Sequence, residues 1–460
     1  MSAAQGHILV NAPASKSMSH RALIGAALAP GESRLTGVLE SVDTTHTMGC
    51  LTACGAGFAR TGAGEYTVRG MAHGPESGPG VADLDVAESG TTCRLLAGVV
   101  TAGRGRFRIH GAPRMHERPL GEPARALASQ GVVFHWEGKP GYPPVTIETP
   151  SKTGGLPGGA IDVRLEESSQ YLSGILLAAP LAKSAMTITL SGDKAVSWPY
   201  VSLTLQTMRD FGVPVVVEVL KDGRFTAVEQ ESVTRAEPGR LRFLVEPGVY
   251  QPRSLCVEGD WSNASYFLAA GAVGASPVTV RGLSRDSLQG DRAILDILAS
   301  MGARMAWTSG SHGTQGSDEV TVLAPKGGLR GVDVDMGACP DLVPTVAVTA
   351  CFASGPTTIR NVAHLRIKEC DRLETLATEI AKTGCLAAMT EDTLTITPAP
   401  LPVGKRILFE SRGDHRMVMG PALFALGGVD VQFDNPACVS KSFPDFWERF
   451  GAVLAGAAKA

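Results

Sequence analysis

Cysteine is sparse in this chain, its charges nearly cancel, and it has no long unbroken apolar run. Nine cysteines among 460 residues, at positions 50, 54, 93, 256, 339, 351, 370, 385 and 438, form an odd and dilute set that argues for reduced thiols over a disulfide framework. Cys50 and Cys54 have the i,i+4 spacing of a helix face, but no second close pair or Cys/His cluster completes a structural zinc site. Forty-two basic against 45 acidic residues leave a net charge of -3, which gives no reason to expect a global footprint for nucleic acid or an anionic membrane and leaves room for local positive clefts. Trp261 to Val280 carries no charge but is broken by Ser, Asn, Gly and Pro, so a buried helix, turn and strand is expected there in place of a membrane span. The opening MSAAQGHILV lacks the basic region and apolar core of a signal peptide, and a cytoplasmic setting is expected. There is also no Walker A run, no ordered dinucleotide fingerprint and no nucleophile elbow.

What the chain does have is a recurring unit: a short strand, a polar junction, an Ala/Leu-rich helix, a Gly turn and a further strand. Copies begin near Ile8, Asp83, Ile161, Leu255, Val332 and Ile407. Taking Ser15, Ser89, Ser168, Ser262, Asp341 and Asp414 as junction markers, the intervals are 74, 79, 94, 79 and 73 residues. Additional helices, in RPLGEPARALASQGV, YVSLTLQTMRDFGV, RAILDILASMGA and RLETLATEIAKTG, each run to a Gly placed as a C-cap. One such module cannot bury both its faces, so two sets of three are expected to pack around shared helices. The longer central interval marks a crossover near Leu241 to Ser254, and a second, early crossover at APAS is compatible with the same periodicity. SKTGGLPGG and the stretch from Thr308 to Glu319 have the composition of external turns.

The junctions carry the chemistry. Ser15, Ser89, Ser168 and Asp341 are suited to cap helix N-termini, and the same termini bind anions because free N–H groups and the helix dipole converge there. Cations crowd these turns: Lys16 and Arg21, Arg94, Arg114 and Arg118, Lys368 and Arg372, Arg416 and Lys441. Arginine's donor fork suits carboxylate or phosphate, and lysine adds a movable charge. Lys368 and Arg372 are four apart, so a helix start would present Glu369 among cations; Asp341 and Asp414 are each expected to open a helix, with His415 beside the latter.

Eight segments in order, PASKSMSHRA, ESGTTCRL, PRMHERPLG, SSQYLSGILLAAP, SWPY, RIKECDRL, GDHRMVM and KSFPDF, resemble the 5-enolpyruvylshikimate-3-phosphate synthase family of enolpyruvyl transferases across roughly Ile8 to Phe450. The resemblance implies a two-domain inside-out α/β barrel of six βαβαββ-like repeats, three per domain. It implies one domain of residues 1–13 and 250–460 with phosphoenolpyruvate-binding residues, another of 14–249 with shikimate-3-phosphate-binding residues, and an active site in the cleft between them. Lys16, Gly90, Arg118, Gln170, Arg372, Arg416 and Lys441 match positions around phosphoenolpyruvate. Ser17, Arg21, Ser168, Ser169, Ser197, Tyr200, Asp341, His364 and Lys368 match positions around shikimate 3-phosphate. Asp341, Glu369 and Lys16 take the catalytic roles. No cofactor or metal is implied, nor any nucleic-acid or membrane partner, and a monomer is expected. Two positions depart from the family pattern: Glu88 and His364 stand where asparagine is usual, exchanging an amide for a fixed acceptor and for a ring with one donor when neutral. The alternatives are an enolpyruvyl transferase with another hydroxylated acceptor and a noncatalytic anion-binding protein of the same fold.

Overall fold

Every expected module opens with a strand: Ile8–Asn11, Glu76–Asp85, Gly159–Leu165, Ser254–Cys256, Asp333–Asp335 and Arg406–Phe409. The computed structural model describes residues 8–150, 152–308 and 318–457; residues 1–7 of the opening segment and 309–317 of the expected Thr308 to Glu319 turn lie outside the described residues. Each opening strand pairs in parallel with a strand that follows a module helix or turn, the arrangement that needs a crossover connection between partners. Among the described residues, antiparallel strands extend five of the six sheets to four or five strands, while the sixth stops at two. In that last module the expected helix is a single turn, Arg416–Met419, followed by a 3-10 stretch, Pro421–Gly427. Pro421 has no N–H to give, so the α-helical ladder loses a bond there.

Two modules exchange their opening strands. Ile8–Asn11 precedes the helix Lys16–Leu28 yet pairs with Val278–Leu283, which follows the helix Trp261–Val273. Ser254–Cys256 precedes that second helix yet pairs with Glu32–Thr36. Backbone proximity accordingly divides the chain into one unit of Met1–Ser15 with Glu258–Ala460 and another of Lys16–Val257. The divisions expected at 13/14 and 249/250 therefore move to 15/16 and 257/258. The stretch from Leu241 to Ser254 is not the crossing: Leu241–Val245 lies in a sheet of the Lys16–Val257 unit, the buried Tyr250 hydroxyl donates to Leu177 O at 2.8 Å, and Ser254–Cys256 extends another sheet of that unit.

Within each unit the helices lie inside and the sheets outside. Gly90–Val99 and Gln170–Ala178 are buried almost throughout, and Lys16–Leu28 is buried from Ser19 onward. Trp261–Val273 and Val343–Ala350 play the same part in the other unit. Such helices are apolar on all sides because they face core on all sides, whereas strands such as Gly159–Leu165 alternate exposed and buried residues. Gly98 and Gly174 let two interior helices touch: a Cβ on Gly98 would lie 2.3 Å from the Gly174 carbonyl carbon. Gly131, Gly212, Gly302 and Gly384, which end the four additional helices, all have positive φ, as αL C-caps require. The SKTGGLPGG segment is only partly external, since Leu156 is fully buried. All nine cysteines are free thiols, and no helix among the described residues is long and apolar enough to cross a membrane.

Candidate functional site

In the Lys16–Val257 unit the named residues form a chain of contacts between helix entrances. Lys16 opens its helix and places Nζ 3.2 Å from Oδ2 of buried Asp43. Arg21, 1% exposed, donates to Thr204 Oγ1 (2.8 Å), Ser17 O (2.9 Å), Tyr200 O (2.8 Å) and Ser173 Oγ (3.5 Å). All four acceptors are neutral, and burial, opposed by Tyr200, lowers its pKa to about 10; a buried guanidinium with only neutral acceptors suits an incoming anion. Ser89 caps Gly90–Val99 by accepting from Thr92 N. The Arg118 guanidinium lies against Gly90, so close that a Cβ there would meet Nη2 at 2.5 Å, and it donates to Glu88 O at 3.3 Å. Gln170 Oε1 accepts from Arg94 (3.3 Å), its Nε2 donates to Thr91 (3.0 Å), and its backbone N–H donates to Ser168 Oγ (3.2 Å). Ser169 is buried beside it. Ser197, before the helix Trp198–Asp210, holds the left-handed conformation at φ 56°, ψ 39°, a strained backbone of the kind that clusters at functional sites.

The other unit holds a buried ionic network. Arg372 donates to Asp414 Oδ2 (2.7 Å), Asp341 Oδ1 (2.9 Å) and Glu369 Oε2 (2.8 Å). Arg416 donates to Asp341 Oδ2 (2.9 Å), Ser262 Oγ (2.6 Å) and Tyr266 OH (3.3 Å). Lys441 Nζ is 4.0 Å from Glu369 Oε1. Burial by itself would raise the Asp341 carboxyl, but Arg416, Arg372 and Lys368 outweigh it and hold that group well below the usual carboxylate range. His364 is buried on the turn Ala363–Ile367, with Lys368 next after it.

Three local expectations change. Lys368 and Glu369 precede the helix instead of opening it: the helix is Arg372–Ala381, capped by Asp371. Asp341 lies within the 3-10 turn Pro340–Leu342, whose cap position falls to Cys339, and its oxygens accept from Arg372 and Arg416. Ser168 receives the Gln170 N–H while Ser169 occupies the cap position. Asp43 escaped notice, since nothing in its own helix marks it and its significance arises from Lys16. Tyr266 was also missed, although its i+4 spacing from Ser262 puts both on one helix face.

The EPSP synthase (3-phosphoshikimate 1-carboxyvinyltransferase) family model matches residues 2–450. A 3-phosphoshikimate 1-carboxyvinyltransferase from Marinomonas sp. is 38% identical over 453 residues, 98% of each chain. One from Sulfurovum sp. is 39% identical over 450 residues, 96% of each. Among solved structures, EPSP synthase from Acinetobacter baumannii aligns with a TM-score of 0.75 at 24% identity, covering 98% of this chain and 96% of that one. An enolpyruvyl transferase from Streptomyces tendae gives 0.66 at 17%, covering 97% and 94%; both show the shared fold. With a family match over almost its whole length and relatives above 30% identity, this chain belongs to the EPSP synthase family.

Proposed function

We propose that this protein is a 3-phosphoshikimate 1-carboxyvinyltransferase, moving the enolpyruvyl group of phosphoenolpyruvate to the 5-hydroxyl of shikimate 3-phosphate and releasing phosphate, in the shikimate pathway to aromatic amino acids. The observation that carries this reading is the family match over residues 2–450. The buried cations support it, because both substrates are multiply anionic. In the proposed assignment Lys16, Gly90, Arg118, Gln170, Arg372, Arg416 and Lys441 receive phosphoenolpyruvate, and Ser17, Arg21, Ser168, Ser169, Ser197, Tyr200, Asp341, His364 and Lys368 receive shikimate 3-phosphate. These residues are divided between the two units. The setting we propose is a cytoplasmic monomer.

In the addition step the 5-oxygen bonds to C2 of the enol, its proton passes to Asp341, and C3 gains a proton from Glu369. In the elimination C3 returns a proton, the C2–O bond to phosphate breaks, and the double bond reforms. Lys16 stabilises charge near the reacting centre, and Arg118, Arg372, Arg416 and Lys441 stabilise charge on the departing phosphate. Both Asp341 oxygens are engaged by Arg372 and Arg416. Substrate anions that take over those guanidinium groups release the carboxylate to act as a base.

Phosphate release from phosphoenolpyruvate, measured with and without shikimate 3-phosphate, tests the reading. Acceptor-dependent release is expected, and Glu369→Gln should lower turnover by two or more orders of magnitude, in keeping with a lost general acid–base, while ligand binding persists. Release that needs a different hydroxylated acceptor would identify another enolpyruvyl transferase, and binding without release a noncatalytic anion-binding protein.

A further inference from the structure

Four buried side chains outside the proposed ligand set form a line through the Lys16–Val257 unit. His20 Nδ1 is 2.7 Å from Thr47 Oγ1, Thr47 Oγ1 is 2.7 Å from Thr92 Oγ1, and Thr92 Oγ1 donates to Ser89 Oγ at 2.7 Å. None is more than 1% exposed. They join three elements: His20 is one turn beyond Lys16 on Lys16–Leu28, Thr47 is one turn beyond Asp43 on Val42–Ala53, and Ser89 and Thr92 form the N-terminal cap of Gly90–Val99. One order of hydrogens serves every link of the line: Thr92 donates to Ser89, Thr47 donates to Thr92 and His20 donates from Nδ1 to Thr47, with the Asp43 backbone oxygen a competing acceptor for both threonines. The remaining His20 nitrogen, Nε2, is then unprotonated, consistent with its having no hydrogen-bond partner among the described residues. Thr47 and Thr92 also lie 3.3 and 3.4 Å from the backbone oxygen of Asp43, whose carboxylate holds Lys16.

We propose that His20, Thr47 and Thr92 are positioning residues, a directed hydrogen-bond chain that locks the Lys16–Asp43 pair to the first turn of Gly90–Val99, so that Lys16 and the Gly90–Arg118 contact meet the same anionic ligand in fixed register. The inference rests on the proposed enolpyruvyl transfer, in which Lys16, Gly90 and Arg118 receive phosphoenolpyruvate. The chain serves binding geometry and takes no part in proton transfer to substrate, since every hydroxyl along it is buried and His20 ends it inside the core.

The test is steady-state kinetics of the full-length enzyme with melting temperatures recorded in parallel. Wild type is assayed first, so that absent phosphate release rejects the functional reading before this inference is examined. Thr47→Val keeps the side-chain shape and removes the hydroxyl; Thr92→Val does the same one link further on and serves if the first variant does not fold. Each should raise KM for phosphoenolpyruvate about tenfold, the scale set by breaking one buried hydrogen bond, with a smaller change in kcat. Thr47→Ser, which retains the hydroxyl and loses the methyl, should restore KM to near the wild-type value. The proposal is overturned if the valine variants melt earlier with KM unchanged, or if Thr47→Ser is as impaired as Thr47→Val, because either result makes the threonines packing residues only.

Discussion

At the scale of single residues, the sequence singled out cations by crowding them at helix entrances, and the structure buries Arg21, Arg372 and Arg416. Their partners were harder to foresee. Asp43 matters only because Lys16 reaches it from another helix, a contact with no signature in local spacing. The left-handed backbone of Ser197 is equally silent, since serine announces no such conformation in the way glycine does. His20 gives a residue-scale prediction. Burial, followed by the opposing pull of Asp43 and the repulsion of Lys16 and Arg21, lowers its pKa from 6.5 to about 3. The unfolded chain therefore takes up a proton between those limits while the native chain does not, and stability falls as pH drops through that window. Relative to His20→Gln, wild type should lose about 1.4 kcal/mol for each pH unit below 6.5. Urea titrations of both proteins at pH 7, 6 and 5 check this, and a constant gap between them would contradict it.

At the scale of elements, the strands and helices were largely legible because each module repeats its order of apolar and polar residues. The four C-cap glycines, Gly131, Gly212, Gly302 and Gly384, are a direct instance, their positive φ matching the punctuation in the sequence. The last module was less readable: an apolar run after Arg416 resembles the other interior helices, but Gly420 and Pro421 break it into a turn and a 3-10 segment. The interior contact between Gly90–Val99 and Gln170–Ala178 depends on an absence of side chain. A methyl on Gly98 would strike the backbone of Gly174, which cannot swing aside as a side chain can. Gly98→Ala should therefore destabilise the protein by about 2 kcal/mol, in the range for overpacked cores, seen as a lower urea midpoint; an unchanged midpoint would mean that the helices separate at no cost.

At the scale of the whole molecule, the repeat announced two groups of three modules but not which strands pair. Ile8–Asn11 carries the same alternation whichever sheet it joins, and its partner Val278–Leu283 is chosen by tertiary packing. The family resemblance, unlike the periodicity, put Ile8–Asn11 with residues 250–460; its boundaries at 13/14 and 249/250 lie two and eight residues before those of the structure, so that only Ser254–Cys256 falls on the other side. The exchange makes a specific prediction for hydrogen exchange. Val10 is buried and opposite Val280, so Val10→Asp should reduce amide protection in Val278–Leu283 while Glu32–Thr36, nearer in sequence, retains its own. Equal loss in both strands would argue against the pairing.

That exchange also imposes an order on synthesis. Ile8–Asn11 has no strand partner until Val278–Leu283 has been translated, an interval on the order of tens of seconds at ordinary elongation rates. Throughout it, the nascent chain must carry an unpaired apolar edge past an entire unit, Lys16–Val257, that is already able to fold around its own helices, so Ile8–Asn11 gains its partner only after that whole unit has been made.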